Sequence, residues 1–280
     1  MLNSLNAGVS GLQQFQNQID MIGNNIANVN TTGFKSARVN FADTFVEAMS
    51  GPGKADAGSS YGSGVATDGV VTSFKGGSIT GTENVTDLAI ENGQGFFTVI
   101  DRETEASYAT RSGNFRVDDQ GFLVTSQGYR VQGTIGDGQA VGDLLFRDDP
   151  AIRGGFDPEN ANYIGTEVTA DGQLLMLFDN GTSYLGGQIR LKEFVAPQEL
   201  TKLGQNLYGN LQGASPTNED GSVPGTGNTG VIRSRALESS NVDLTGEFSN
   251  LIVAQRAFQA NARMITTSDQ MMQEIVALKR

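Results

Sequence analysis

Acidic residues in three short clusters have the types and spacing that could support catalysis. The clusters are Asp118 with Asp119, Asp148 with Asp149, and the set Asp101, Glu103 and Glu105. Two carboxyl groups that flank a glycosidic bond could serve as general acid and as base or nucleophile, which is the chemistry of a glycosidase. Each cluster lies among turn-forming residues, where we expect solvated carboxylates. We therefore do not predict an enzyme.

The loop at residues 157–162, DPENAN, has oxygen-bearing side chains at alternate positions, as calcium-binding loops do. It lacks the glycine at the sixth position and the glutamate at the twelfth, so a polar surface loop is the preferred interpretation. The chain also has no histidine and no cysteine, which removes the commonest general base and the usual zinc ligands. We predict no catalytic residues, no metal site and no cofactor.

The net charge is −12, from 31 acidic and 19 basic residues. This is the wrong sign for a surface that binds phosphate groups, so neither nucleic acid nor a membrane is an expected partner. No segment has the roughly 20 apolar residues that cross a bilayer. Residues 1–25 lack the basic start and apolar run of a cleaved signal peptide, so any export is expected to use another route.

Both ends of the chain have the apolar spacing of an amphipathic helix. The N-terminal stripe runs from Leu5 to Val29, and its other face carries amides, hydroxyls and glycines. The C-terminal stripe runs from Leu244 to Val276, with Asn241 at the expected N-cap. We predict that the helices pair as an α-helical coiled coil. Their weakly charged faces can be desolvated at low cost, so we also expect packing on further copies. The alternatives are an ordinary dimeric coiled coil, or termini folded back on a β domain formed by the middle of the chain.

The predicted assembly interface comprises the apolar residues of the two stripes. They are Leu5, Val9, Leu12, Phe15, Ile22, Ile26, Leu244, Phe248, Leu251, Phe258, Ile265 and Met272.

The middle of the chain consists of short β-prone runs separated by Gly- and Asp-containing turns, which predicts a central antiparallel β domain and an α+β fold class. Phe96 and Phe97 would point to opposite faces of one strand, so we expect one in the core and the other at an interface.

The Gly/Ser/Pro-rich stretches 50–64 and 213–230 are predicted linkers. The predicted parts are an N-terminal helix at 1–30, a linker and extended connection at 31–75, a β-rich domain at 76–235 with a variable part at 136–185 that could be a small insertion, and a C-terminal helix at 236–280.

Three segments carry a resemblance to a known family. They are residues 22–41 (IGNNIANVNTTGFKSARVNF), residues 87–97 (DLAIENGQGFF) followed by 110–115 (TRSGNF), and residues 236–280 with SNVDL and QRAFQAN. In this order they are similar to signature segments of the bacterial flagellar axial proteins, the rod and hook family. Residues 136–185 match least.

The resemblance implies a structural subunit that polymerises with itself into a hollow helical tube, which transmits torque and passes exported proteins. The terminal helices would form its inner layer and the β domain its outer layer. The implied partners are neighbouring axial proteins (rod, hook cap and hook–filament junction) and the flagellar type III export apparatus. Free monomers would have disordered ends. The junction between core helix and outer domain would be marked by Asn28, Asn30, Thr31, Gly33 and Phe34.

Residues 1–35 and 265–280 look most like short hook proteins, so we predict a subunit of the extracellular hook. Residues 50–64 are longer than expected for a minimal hook protein. They favour the alternative, a distal rod subunit of the basal body that spans the periplasm, where such a segment is thought to stiffen the tube. A more distant alternative is a secreted β-rich adhesin whose helices only oligomerise it.

Overall fold

A computed structural model describes residues 2–44, 46–48, 60–62, 64–136, 140–147 and 162–278. In these residues a helix lies near each end of the chain and mainly antiparallel strands lie between them, which confirms the α+β class. The helices are α1 (Leu2–Ala27) and α2 (Leu244–Leu278), and a short 3-10 helix covers Pro197–Glu199.

The strands are β1 (Ala37–Asp43), β2 (Val46–Ala48), β3 (Ser60–Gly62), β4 (Val65–Thr72), β5 (Ile79–Gly81), β6 (Leu88–Glu91), β7 (Phe96–Ile100), β8 (Ser107–Thr110), β9 (Arg116–Val117), β10 (Leu123–Val124), β11 (Arg130–Ile135), β12 (Val141–Asp143), β13 (Tyr163–Val168), β14 (Gln173–Phe178), β15 (Ser183–Ile189), β16 (Leu191–Lys192), β17 (Thr201–Gly204), β18 (Leu207–Gly209), β19 (Val231–Ser234) and β20 (Ala236–Glu238).

The chain divides into two compact units. The helical unit comprises Met1–Val29, Ser36–Ser73 and Val242–Arg280, and the β unit comprises Asn30–Lys35 and Phe74–Asn241. These boundaries differ from the predicted ones, because residues 36–73 group with the helices while residues 30–35 and 236–241 group with the strands.

In the helical unit, α1 and α2 pack against each other in antiparallel directions. Gly8 lies beside Ile265, and Gly11, one turn further along α1, lies beside Asn261. The N-cap of α2 is Asp243 rather than the predicted Asn241, because the Asp243 carboxylate accepts the Thr245 N–H at 3.0 Å. The helix begins at Leu244, which leaves Asn241 too far upstream to act as its cap.

The predicted connection at 31–75 contains regular structure. β1 and β4 form an antiparallel pair with a register shift between Asn40 and Phe41, and β2 pairs with β3. The β1–β4 pair packs on α1: the Phe15 and Phe41 rings meet edge to face at 6.1 Å, and the Val65 N–H donates to the Ser10 hydroxyl at 3.3 Å. Most of the predicted linker 50–64 lies outside the described residues.

In the β unit, the main sheet has the strand order β13-β14-β15-β11-β7-β8-β18-β17, while β6–β19 and β5–β20 form separate pairs. The strands β13, β14 and β15 join this sheet through β11, so the described part of residues 136–185 extends the main sheet. The rest of that range, 137–139 and 148–161, lies outside the described residues.

The β unit buries apolar side chains on both faces of β7. Phe97 belongs to the larger cluster with Val99, Leu123 and Leu174, and Phe96 belongs to a second cluster with Tyr208. Both phenylalanines are buried, so the expectation that one of them lies at an interface was wrong.

The predicted linker at 213–230 packs on the β unit. Its backbone makes bridges from Pro216 to Phe194, from Ser222 to Leu191 and from Thr229 to Gln94, and Ala214 is fully buried. Glycines in this segment permit close turns that follow the sheet surface, which is why a linker-like composition folds here.

Candidate functional site

The seam between the two helices follows a heptad-like row on α2. Its positions recur at alternating steps of three and four residues, and all are buried or half-buried: Leu251, Ala254, Phe258, Asn261, Ile265, Ser268 and Met272. On α1, a Cβ atom added to Gly8 would lie 3.1 Å from the Ile265 side chain, and one on Gly11 would lie 2.7 Å from Asn261 Nδ2. Because Gly8 and Gly11 have no side chain, the two helices can approach closely at these positions, and larger residues would prevent this. These two positions form the glycine notch of the seam.

The predicted interface residues have three kinds of environment. Ile22 is buried, and Val9, Leu244 and Phe248 are exposed. The remaining eight are half-buried: Leu5, Leu12, Phe15, Ile26, Leu251, Phe258, Ile265 and Met272. The sequence interpretation missed Ala254, Asn261 and Ser268 in the seam because it followed apolar residues alone; a strict heptad from Leu251 to Met272 would have found them.

A second row of apolar residues on α2 is exposed in the chain. Val253, Met264 and Met271 are 64%, 48% and 51% exposed, and Ile275 continues the row. It is rotated by about 100° around the helix from the seam. This row, Val253, Met264, Met271 and Ile275, is called the outer row below. An apolar row of this length on one face of a helix is typical of a surface that is covered in an assembly.

Asn25 links three elements of the helical unit. Its side chain donates to the Ala37 carbonyl at 2.8 Å, accepts the Ala37 N–H at 3.1 Å and donates to Glu247 Oε1 at 3.1 Å. Burial raises the pKa of Glu247, and the hydrogen bond from Asn25 opposes that increase. The contact therefore places a partly desolvated carboxyl group at the first turn of α2.

The predicted junction residues are divided between the two units. The Asn28 side chain donates to the Asn24 carbonyl at 2.9 Å just after the end of α1. In the β unit, Asn30 is exposed and Thr31 is half-buried, whereas Gly33 and Phe34 are buried.

Gly33 occupies a position that only glycine fits. Its φ is +67°, and a Cβ atom would lie 2.6 Å from the Ser112 backbone nitrogen. Its N–H donates to the Glu238 carbonyl at 2.8 Å. Beside it, the Lys202 ammonium lies 3.9 Å above the Phe34 ring. Residues 33–35 are thus packed inside the β unit as part of its core.

A buried cluster of three charged side chains lies next to residues 33 and 34 in the β unit. The side chains of Lys35, Arg111 and Glu238 are 0%, 2% and 1% exposed. Lys35 Nζ donates to Glu238 Oε1 at 2.5 Å and to the Lys75 carbonyl at 2.8 Å. Arg111 Nη1 lies 3.4 Å from Glu238 Oε2, and the Gly77 N–H donates to Oε1 at 2.8 Å. One carboxylate therefore serves two cations and a backbone amide.

Burial dominates the electrostatics of the cluster. It lowers the pKa of Lys35 and of Arg111, while the charge of Glu238 raises both. It also raises the pKa of the nearby Tyr208. In the described residues, Arg111 Nε and the Tyr208 hydroxyl have no hydrogen-bond partner. Sequence reasoning missed this cluster because each charged residue lies next to turn-forming residues. No local pattern indicates that Lys35 contacts Glu238, which lies 203 positions later.

The carboxylate clusters considered for catalysis stabilise turns where the structure describes them. Asp101 accepts the Glu103 N–H at 3.0 Å and the Thr104 hydroxyl at 2.8 Å, and Asp118 accepts the Gln120 N–H. Asp148, Asp149 and residues 157–161 lie outside the described residues. Within the described ranges, no group of three or more His, Cys, Asp or Glu side chains is arranged to hold a metal ion. Neither described helix combines the length and apolar character that spanning a membrane requires.

The exposed apolar row of α2 is typical of a structural protein that associates with other chains. Three family models match the chain: "Flagella basal body rod protein" over residues 5–35, "Flagellar hook protein FlgE/F/G D1 domain" over 89–176 and "Flagellar basal body rod FlgEFG protein C-terminal" over 233–278.

Curated relatives are similar along the whole chain. The chain is 39% identical to the flagellar basal-body rod protein FlgG of Bacillus subtilis (strain 168) and 32% identical to FlgG of Borreliella burgdorferi, with 100% of both chains covered in each case. It is 27% identical to the flagellar hook protein FlgE of Borreliella burgdorferi, again over 100% of both chains. The chain belongs to the flagellar rod and hook family, and it is a structural subunit of the flagellar axis.

Proposed function

We propose that this protein is a distal rod subunit of the flagellar basal body. The observation that carries the proposal is the 39% identity to a basal-body rod protein FlgG over the full length of both chains. The alignment with the hook protein has lower identity and extends over 450 positions, far more than the 280 residues of this chain. The hook protein therefore carries long segments that this chain lacks, and the distal rod is better supported than the predicted hook.

In this proposal the protein polymerises with itself into a hollow helical tube whose inner layer consists of coiled-coil helices. The exposed outer row of α2 supports this, because its apolar surface is left for another copy to cover. The weakly charged α1 supports it as well, since Asp20 is its only charged side chain in the described residues. The interface comprises the twelve predicted residues from Leu5 to Met272 together with the outer row.

The tube transmits torque across the periplasm and passes exported proteins through its channel. Its partners are the neighbouring axial proteins and the type III export apparatus, which delivers the chain. The junction residues Asn28, Asn30, Thr31, Gly33 and Phe34 connect the core helix to the outer domain. None of the relatives reported above is an adhesin, and no observation favours that alternative.

Immunogold electron microscopy of isolated hook–basal bodies tests the location. An antibody against residues 85–210 of the β unit should place gold on the straight shaft below the hook, and particles from a strain that lacks the gene serve as the control. Gold along the curved segment would instead make the protein a hook subunit. An unlabelled flagellum with detectable protein elsewhere would contradict an axial role.

A further inference from the structure

The buried cluster in the β unit carries unbalanced charge. Lys35 and Arg111 are cationic, and among the described residues Glu238 is the carboxylate that contacts either of them. The cluster therefore holds two positive charges against one negative charge. Taking cations out of water is strongly unfavourable unless a nearby opposite charge compensates. The carbonyls of Lys75 and Gly93 also accept hydrogen bonds from Lys35 and Arg111, but in the described residues Glu238 supplies the full negative charge that contacts both cations.

Sequence order separates this carboxylate from both cations. Glu238 follows Lys35 by 203 residues and Arg111 by 127 residues. A chain is synthesised from its N-terminus and its domains begin to fold in that order. Both cations are present well before the group that allows them to be buried.

Glu238 also supplies acceptors for the backbone around the junction. Its side chain accepts the Gly77 N–H and its carbonyl accepts the Gly33 N–H, both at 2.8 Å. Before Glu238 is in place, closing the β unit around residues 30–35 would bury two like charges and strand two backbone donors. Each of these costs opposes closure, so the incomplete chain favours an open state.

We propose that Glu238 is a folding latch, meaning that the β unit closes on the junction segment only when this carboxylate arrives. The chain then stays open until strand β20 is available, which is near the end of the β unit. For the proposed function, on which this one consequence rests, a late closure keeps the chain in the unfolded form that a narrow export channel requires.

The latch is tested with the purified full-length monomer and four variants. Glu238→Gln keeps the shape of the side chain but leaves both cations unpaired. Lys35→Met combined with Glu238→Gln restores the net charge of the natural cluster, and Lys35→Met alone controls for the methionine. Glu91→Gln is the matched control, because Glu91 pairs with Arg233 at 3.6 Å on the surface. Urea unfolding and hydrogen exchange of β6, β7 and β8 report closure of the β unit.

Glu238→Gln should lower the folding equilibrium constant by about 100-fold or more, whereas Glu91→Gln should change it by less than about fivefold. The double variant should recover at least about tenfold relative to Glu238→Gln. If Glu238→Gln cannot fold, a folded double variant supports the latch. The proposal is overturned if Glu238→Gln unfolds at the same urea concentration as the natural protein. It is also overturned if the double variant has no higher folding equilibrium constant than Glu238→Gln although Lys35→Met alone folds. These results concern the monomer and are independent of where the protein lies in the flagellum.

Discussion

The helical unit and the β unit treat apolar surface and charge in opposite ways. The helical unit leaves the outer row of α2 exposed, although its own seam contains small and polar residues such as Ala254 and Asn261. The β unit packs two clusters of large apolar side chains in its interior and also buries Lys35, Arg111 and Glu238. One unit keeps apolar surface available, while the other encloses charge.

This difference indicates how each unit is completed. Burial of apolar area is the main driving force of folding, so a helix pair with an uncovered row gains further stability only from another molecule. The charge cluster is enclosed in the β unit, with side chains that are at most 2% exposed, so its surface is not available to a partner molecule. Substitutions in the outer row should therefore affect assembly, whereas substitutions in the buried core of the β unit should affect the monomer.

The largest effect on the monomer is expected at Gly33. Gly33→Val would impose a β-branched side chain at a φ of +67° and would drive its Cβ against the Ser112 backbone. We expect a loss of about 3–5 kcal/mol in the free energy of unfolding of the β unit, measured by urea titration. Gly128→Ala is the control, since Gly128 also has a positive φ but no atom within 4 Å of its would-be Cβ; it should cost only about 1 kcal/mol. Equal losses in the two variants would show that the tight packing around Gly33 does not contribute to the stability of the core.

A charge in the outer row should separate assembly from monomer stability. Met264 is 48% exposed, so Met264→Asp should change the free energy of unfolding of the monomer by less than about 0.5 kcal/mol. In a polymer the same carboxylate would be desolvated at every repeat, and we expect each subunit contact to weaken by about 2–3 kcal/mol. Sedimentation and electron microscopy of assembled protein measure this, with Met264→Leu as the control. Polymers of natural length from Met264→Asp would remove the outer row from the interface.

The glycine notch of the helix seam should have a smaller effect. Gly11→Ala places a methyl group 2.7 Å from Asn261 Nδ2, whereas Gly23→Ala on the same helix meets no atom within 4 Å. Both substitutions raise the helix propensity by the same amount. The difference in stability between the two variants therefore measures the effect of the contact in the seam. We expect Gly11→Ala to be less stable than Gly23→Ala by about 1–2 kcal/mol, as measured by the thermal unfolding of the helical signal in circular dichroism. Adding Asn261→Ala should recover most of this difference, and no recovery would contradict the notch.

Sequence patterns predicted the elements that repeat a local period and missed those that depend on distant partners. The three-and-four spacing from Leu251 to Met272 predicts α2, and alternation with turn residues predicts the β domain. The described part of 31–75 and the segment 213–230 were predicted as connections because glycine-rich composition shows only that a segment can turn. Whether it then packs depends on partners such as α1 for residues 36–73 or Gln94 for Thr229, which are far away in the sequence.

The same limit applies to the candidate sites. The predicted interface residues follow from helical periodicity, but their division into seam and exposed positions depends on the register with which α1 meets α2. Lys35, Arg111 and Glu238 have no local pattern in common. Their pairing follows from the way β20 and the junction segment meet in the folded β unit, and only the structure shows it.

The smallest predicted effect concerns pH and again distinguishes the two units. Burial raises the pKa of Glu247 above its ordinary value of 4.5. At a pH between 4.5 and the raised pKa of the folded state, the folded chain therefore binds more protons than the unfolded chain. The contribution of Glu247 to stability is therefore full below about pH 4.5 and falls as the pH rises through the folded-state pKa. Replacing Glu247 with Gln keeps a hydrogen-bonding side chain next to Asn25 but cannot titrate, so hydrogen exchange of α1 should lose this part of its pH dependence. The exchange of β7 should be the same in both proteins; an equal change in β7 would mean that the two units do not respond separately.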